Sequence, residues 1–316
     1  MDITDDYGRR FETLRISLTG KCNMACTYCV ESEDKMPVSK ISKPPLSVDE
    51  LGEVVYALHS MLPISTIRLT GGEPALYPDL VPLILKLQPL KVKLKMTTNG
   101  LLLKNILNKL PRNSIESINV SIDAMDEEVF YKITKRKGLK TVLEGIDYAQ
   151  NIGIGVKINA VIIKAVNENQ ILPLVEYAFN KNLTIRFLEV MQMGHLYHHK
   201  DSIIYQEEIL QIIGSKYQFY LLPKPLSDTA QYYRTGQGHI FGIIANESSP
   251  FCSGCNRLRL DSYGNIYGCL SHNEPIHIVS HLHNNNKMAD ILHEALLQKQ
   301  PAKFEGSTLS MLDIGG

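Results

Sequence analysis

Six short runs rich in β-branched and apolar residues, at 14–19, 66–70, 93–97, 117–122, 155–162 and 184–190, alternate with amphipathic stretches at 49–61, 77–87, 101–110, 126–133, 141–151 and 168–181. Strands separated by helical patterns are the signal for βαβ units and a parallel sheet. Gly71-Gly72 and Asn99-Gly100 stand at two strand ends, where the chain must turn toward the next helix. Six units fall short of the eight that close a full barrel. The expected fold is therefore α/β, a partial, open (βα)6 TIM-like barrel with its ligands at the C-terminal strand ends. A doubly wound sheet is the competing arrangement.

After residue 190 the pattern changes. A loop carrying His195, His198 and His199 leads to one helix near 202–213 and short strands near 218–222 and 239–244. A hairpin of 257–260 and 265–269 follows, turning across Asp261-Ser262-Tyr263-Gly264. Two regions are expected: a barrel at 1–195 and a C-terminal α+β extension at 196–316. The 33 Lys and Arg cancel the 33 Asp and Glu, and 44% of the 316 residues are hydrophobic, which excludes a disordered chain and any global attraction to nucleic acid or a membrane surface. An anionic ligand must be gripped locally. The apolar runs are too short to span a bilayer and the first residues are acidic, so the expected location is cytoplasmic.

In a reducing compartment cysteines serve as ligands or catalysts more readily than as disulfide partners. The chain has 6 of them, in two triplets: Cys22, Cys26 and Cys29 near the start, Cys252, Cys255 and Cys269 near the end. The first spacing, C-x3-C-x2-C with Tyr28 just before the third thiol, directly follows the first strand. Three thiolates holding a [4Fe–4S] cube leave one iron open to a small molecule; a zinc knot with a distant ligand and buried free cysteines are the alternatives. The second spacing, C-x2-C-x13-C, fits an iron site and a zinc ribbon completed by His272 equally well. Arg257 and Arg259 alternate along the expected strand beside it and point the same way, as solvated surface or as a fork for phosphate. His198-His199 reads as a solvated loop or a metal contact.

The first triplet with Tyr28 resembles the cluster loop of the radical S-adenosylmethionine (SAM) enzymes. The resemblance implies that Cys22, Cys26 and Cys29 hold a [4Fe–4S] cluster whose open iron chelates SAM, and that an electron from the cluster yields a 5′-deoxyadenosyl radical. Gly71-Gly72-Glu73-Pro74 matches the family's methionine-binding motif. Tyr28, Gly72, Glu73, Ser121 and Met191 are the SAM contacts so implied, with Glu73 an acceptor for the ammonium. The pairing of a second triplet with the first suggests a second cube with an open iron.

The stretch Asp6-Tyr7-Gly8-Arg9, the run Leu14-Arg15-Ile16-Ser17, both triplets, Arg68 to Pro74, Thr97 to Gly100, Phe251 to Leu260 and a terminal Gly315-Gly316 together resemble the GTP 3′,8-cyclase family of molybdenum cofactor biosynthesis. The implied enzyme is a lyase in which the SAM-derived radical removes hydrogen from ribose C3′ of GTP and C3′ then bonds to purine C8, giving 3′,8-cyclo-7,8-dihydro-GTP. Cys252, Cys255 and Cys269 would hold the second cluster, which docks the guanine. Arg15, Arg68, Thr97, Lys157, Arg257 and Arg259 would contact GTP, and Gly315 and Gly316 would enter the active site and assist the reaction. An electron donor, transfer of product to the next pathway enzyme and room for a homodimer are further implications. Gly20-Lys21 stands where the family usually has Asp-Arg, and the chain has no Trp. A radical SAM maturase acting on a peptide and a non-catalytic iron–sulfur and zinc protein are the competing functions.

Overall fold

The computed structural model describes residues 3–31 and 44–314. Along the chain run β1 (Thr13–Ser17), α1 (Val48–Met61), β2 (Thr66–Thr70), α2 (Leu80–Leu87), β3 (Lys93–Thr98), α3 (Leu103–Leu107), β4 (Ser117–Ser121), α4 (Glu127–Thr134), α5 (Leu139–Asn151), β5 (Gly155–Ile162), α6 (Ile171–Asn180) and β6 (Thr184–Glu189). These are the six strand–helix units. Then come α7 (Gln206–Gly214), β7 (Phe219–Leu221), β8 (Gln231–Thr235), β9 (Ile240–Ile244), β10 (Arg257–Asp261), β11 (Asn265–Tyr267), β12 (Ile276–His277), α8 (Asn285–Leu297) and α9 (Met311–Ile314).

Among the described residues twelve strands form one open sheet in the order β12-β11-β10-β1-β2-β3-β4-β5-β6-β9-β8-β7. The six barrel strands pair in parallel in sequence order, as the βα rhythm requires. The C-terminal strands add to both flanks of that sheet: β9 runs parallel to β6 and β10 parallel to β1, with antiparallel hairpins beyond each. The connection between β9 and β10 therefore passes from one flank to the other, and Cys252 and Cys255 lie on that crossing.

The strands alternate with period two. One set of side chains, among them Leu14, Ile16, Ile67, Leu69, Met96, Ile118, Val120, Ile158 and Phe187, is buried beneath the helices. Truncating any large member to Ala would cost ~2–5 kcal/mol. The opposite set departs from the barrel norm: in place of layers of branched apolar residues it presents Arg15, Arg68, Lys95, Thr97, Asn119, Ser121, Lys157, Asn159 and Arg186 to an internal cavity. A polar inner wall does not collapse on itself, and the barrel stays hollow.

Helix starts are fixed by side chains that accept orphan N–H groups. Ser47 and Glu50 form a capping box on α1, and Asp126 caps α4 through Glu128 and Val129. Asn284 caps α8. Among the described residues no helix is long and apolar enough to cross a membrane.

Candidate active site

A cavity of about 600 Å³ opens on the inner face of the sheet, and both cysteine triplets line it. This places side chains from opposite ends of the sequence around one space.

The first triplet lies on the loop after β1. Cys29 N–H and Val30 N–H donate to the Cys26 carbonyl, wrapping the loop tightly. Ala25 and Thr27 donate to the carbonyls of Thr134 and Ile133 at the end of α4, and the Thr27 carbonyl meets His195 Nε2 at 2.9 Å. Gly71 and Gly72 press against the same loop: a Cβ on Gly71 would lie 2.6 Å from the Thr19 carbonyl oxygen, and one on Gly72 2.4 Å from that of Lys21. Gly71 also has φ +145°. Only glycine fits there.

Burial pushes all three thiols up, Cys29 to about 12, with Cys22 and then Asp123 adding to the effect. Such thiols ionise when a metal takes the charge, so metal binding here releases protons. Tyr28 O–H donates to Asp123 Oδ2 at 2.9 Å, and Asp123 Oδ1 accepts from Val161 N–H at 2.8 Å. Asn99 Nδ2 reaches Cys22 Sγ at 3.7 Å and Asn23 Oδ1 at 2.7 Å.

Of the residues that the resemblance implies as cluster ligands or as SAM or GTP contacts, all the described ones except Glu73 line the cavity, Tyr28, Gly72, Ser121 and Met191 included, whereas His195, His198, His199 and His272 do not. Glu73 is 1% exposed and its carboxylate is already engaged, accepting from Ala75 N–H, Thr98 O–H and Asn99 N–H. It reaches the site through Asn99, whose backbone it holds. Gly315 and Gly316 lie outside the described residues. The chain before them runs along the cavity: Met311 and Leu312 line it, Leu312 packs on Ala25 and Val30, and Ile314 packs on Met193 and Tyr267.

The cations form a belt across neighbouring strands. Arg259, Arg15, Arg68 and Lys95 stand at consecutive register positions on β10, β1, β2 and β3. Burial, then the neighbouring guanidiniums, drags Arg15 well below its usual range. Burial does the same to Arg68 and Arg259, each brought down to about 10. Arg15 Nε is buried with no hydrogen-bond partner. Arg68 Nη1 touches Thr97 Oγ1 at 3.5 Å, and Lys157 Nζ lies 3.5 Å from Tyr232 O–H. Among the described residues neither Arg15, Arg68, Lys157 nor Arg186 pairs with a carboxylate. Lys157 is exposed, but Arg15, Arg68 and Arg186 are withdrawn from water, and cations there without counter-ions are costly unless an anion arrives.

The second triplet sits where this belt ends. Arg257 lies over the Phe251 ring, 5.0 Å from its centroid. Burial would push the Cys255 thiol up, but Lys299 and Arg257 outweigh it and bring the group down to about 6. Cys252 is pushed up to about 11 by burial and by the other two thiols. Among the described residues no group of three or more His, Cys, Asp or Glu side chains is gathered tightly enough for a single metal ion. The donor sets, all thiol and open on one side toward a cavity, fit [4Fe–4S] clusters, and Arg15 Nε awaits an acceptor.

Sequence reasoning missed Lys95, Asn99, Asp123, Arg186, Tyr232 and Lys299. For Lys95 a signal existed: it is two residues from Thr97, hence on the same face. Lys299 follows α8 and gave none.

A polar, hollow partial barrel with a three-cysteine loop after its first strand defines a radical SAM protein. Comparison agrees: residues 16–178 match the Radical SAM superfamily and residues 183–305 match Molybdenum Cofactor Synthesis C. The chain is 38% identical over 281 residues to the GTP 3′,8-cyclase of Synechocystis sp., covering 87% of this chain and 84% of that one. It is 40% identical over 278 residues to that of Staphylococcus carnosus, covering 85% and 81%. The chain belongs to the GTP 3′,8-cyclase family of the radical SAM superfamily, whose cofactors are SAM and [4Fe–4S] clusters. Among solved structures, Streptococcus suis SuiB bound to S-adenosylmethionine superposes with a TM-score of 0.64 at 15% identity, covering 92% of this chain and 68% of that one. Native anSMEcpe with bound AdoMet gives 0.61 at 14% identity, with 91% and 82% covered. These share the fold.

Proposed function

We propose that this chain converts GTP to 3′,8-cyclo-7,8-dihydro-GTP, the first step of molybdenum cofactor biosynthesis, with Cys22, Cys26 and Cys29 holding the SAM-binding cluster and Cys252, Cys255 and Cys269 a second cluster facing the substrate. The observation that carries the reading is one cavity bounded at two sides by thiol triplets and between them by a belt of buried cations. A triphosphate supplies the charge that Arg15 and Arg68 lack, with Lys157 and Arg259 lining the same cavity, and each charge-assisted contact adds ~1.5–3 kcal/mol. Lys95 and Arg186 extend the same surface.

When bound, the first cluster and SAM supply a carbon radical able to take hydrogen from an unactivated C–H bond. The residues of the chain do the rest. Tyr28, tied to Asp123, and Ser121 and Met191 at the ends of β4 and β6 shape the SAM side of the cavity. Gly72 allows the close approach of backbone to ligand. Asn99, held by Glu73, fixes the Cys22 corner. The belt anchors the phosphates, which leaves the ribose and base to span the distance toward the two triplets. Leu312 and Met311 close one wall and exclude water, which protects a reactive intermediate. Gly315 and Gly316, next along the chain from Ile314, would act at the same site.

A peptide substrate gives no reason for so many cations, which sets this reading above that of a peptide maturase. An external electron donor, transfer of the product to the next pathway enzyme, a homodimer and a cytoplasmic location belong to the same proposal. The test is anaerobic reconstitution followed by incubation with GTP, SAM and dithionite. GTP-dependent 5′-deoxyadenosine with a cyclised nucleotide is expected; iron-loaded enzyme that cleaves SAM and leaves GTP unchanged overturns the proposal.

A further inference from the structure

Two buried cations outside the belt converge on the second cysteine loop. Arg9 is 8% exposed; its Nε donates to Asp5 Oδ2 at 2.5 Å and its Nη1 to the Cys252 carbonyl at 2.6 Å and the Gln300 carbonyl at 3.0 Å. By gripping residue 300 it fixes the segment that follows α8, and the residue before it, Lys299, is carried into the interior. Lys299 is 6% exposed. Its Nζ donates to Cys255 Sγ at 3.3 Å and to the Arg257 carbonyl, and lies over the Phe11 ring at 5.0 Å. Among the described residues no carboxylate pairs with it. A buried ammonium needs an anion close by, and the one in contact is a sulfur. The first triplet differs: there a neutral amide, Asn99, donates to Cys22 Sγ.

We infer that Lys299 is a positioning residue of the second cluster: its ammonium holds the Cys255 corner and the start of β10, and so sets the reduction potential of that cluster as well as the place of Arg257. The assignment rests on the reading that the second triplet holds a cluster. A cation hydrogen-bonded to a ligand sulfur stabilises the reduced, more negative state, so it raises the potential. Arg9 supports it from behind by locking the neighbouring carbonyls.

The experiment uses full-length protein with Cys22, Cys26 and Cys29 all changed to Ala, so that the second cluster alone gives a signal. Lys299, Lys299→Met and Lys299→Arg versions are reconstituted anaerobically. Iron is counted, and the reduced cluster is followed by EPR during redox titration. With Lys299 present, about four irons per chain are expected. Lys299→Met is expected to keep them while its midpoint moves to more negative potential with altered g-values, and Lys299→Arg to fall between. Loss of iron from the Met variant with retention in the Arg variant also supports the assignment, since charge is what the two do not share. Unchanged midpoint and g-values in the Met variant, or equal loss of iron from both variants, overturns it. A Lys299 parent with no iron–sulfur absorption overturns the reading of the second triplet itself, and this assignment with it.

Discussion

The two cysteine triplets, one packed into eight residues and the other closed by a third thiol on the far side of a hairpin, have opposite surroundings. Around the first stand Asp123, Tyr28 and Asn99, and burial with a nearby carboxylate holds its thiols up. Around the second stand Arg257, Arg259 and Lys299, and two of these cations draw Cys255 down to about 6. A site edged by a carboxylate suits a ligand carrying a sulfonium and an ammonium. One edged by three cations suits an anion or an electron-rich base. On the proposed function, local charge more than the cysteine pattern would divide the labour within a single cavity.

The largest expected effect separates the triplets by function. Ala at Cys22, Cys26 or Cys29 should abolish SAM cleavage, with 5′-deoxyadenosine below detection by liquid chromatography. Ala at Cys252, Cys255 or Cys269 should lose cyclisation by about 100-fold or more, given the weight of a substrate-docking group, while slow SAM cleavage persists. Cyclisation surviving in the second set would erase the distinction drawn here.

Next come the cations. Arg15→Met or Arg68→Met should weaken GTP binding roughly 10- to 100-fold, the equivalent of ~1.5–3 kcal/mol for a charge-assisted contact. SAM affinity, measured separately by equilibrium dialysis, should change far less. Equal losses for both ligands would mean that these residues hold up the barrel and do not face one substrate.

The last effect bears on stability, not on turnover, and concerns pH beside the first triplet. Asp123 is 3% exposed and burial pushes it up to about 6. Its folded value lies above its unfolded one, near 3.9, so the folded chain binds the extra proton between about pH 4 and 6. Stability contributed by the neutral form is present at the acid end and lost as pH rises through about 6, on the order of 2–3 kcal/mol. Urea unfolding of the apoprotein across that range should show the decline, and Asp123→Asn should flatten it. An unchanged slope in the variant would assign the decline to another group.

Much of this arrangement was legible in the sequence for physical reasons. The βα rhythm marks β2 and β5 with the same limits the structure gives them, because strands buried under helices must be short and apolar on alternate positions. The turn after Gly71 was legible because close approach to Thr19 and Lys21 tolerates no side chain. Other features were hidden. β8, Gln231–Thr235, mixes polar and aromatic residues and becomes a strand through pairing with β9. The C-terminal strands read as an α+β extension, but no local pattern announces which strand an edge will join, and in the structure they continue the barrel sheet on both flanks. Glu73 read as a ligand-facing acceptor, but its three internal donors lie on segments brought together only by the fold. Arg9 and Lys299 are the extreme case: each is an ordinary surface cation by composition, and 290 residues of chain must fold before they meet at one loop.

The central claim is that one cavity delivers the radical made beside the first triplet to the ribose of a nucleotide held by the belt and the second triplet. GTP carrying deuterium at C3′, incubated anaerobically with SAM, dithionite and the iron-loaded enzyme, tests this most directly by mass spectrometry of the 5′-deoxyadenosine formed. Deuterium in 5′-deoxyadenosine, appearing in step with cyclised nucleotide, is the predicted result. Unlabelled 5′-deoxyadenosine formed at the same rate with or without GTP would contradict it.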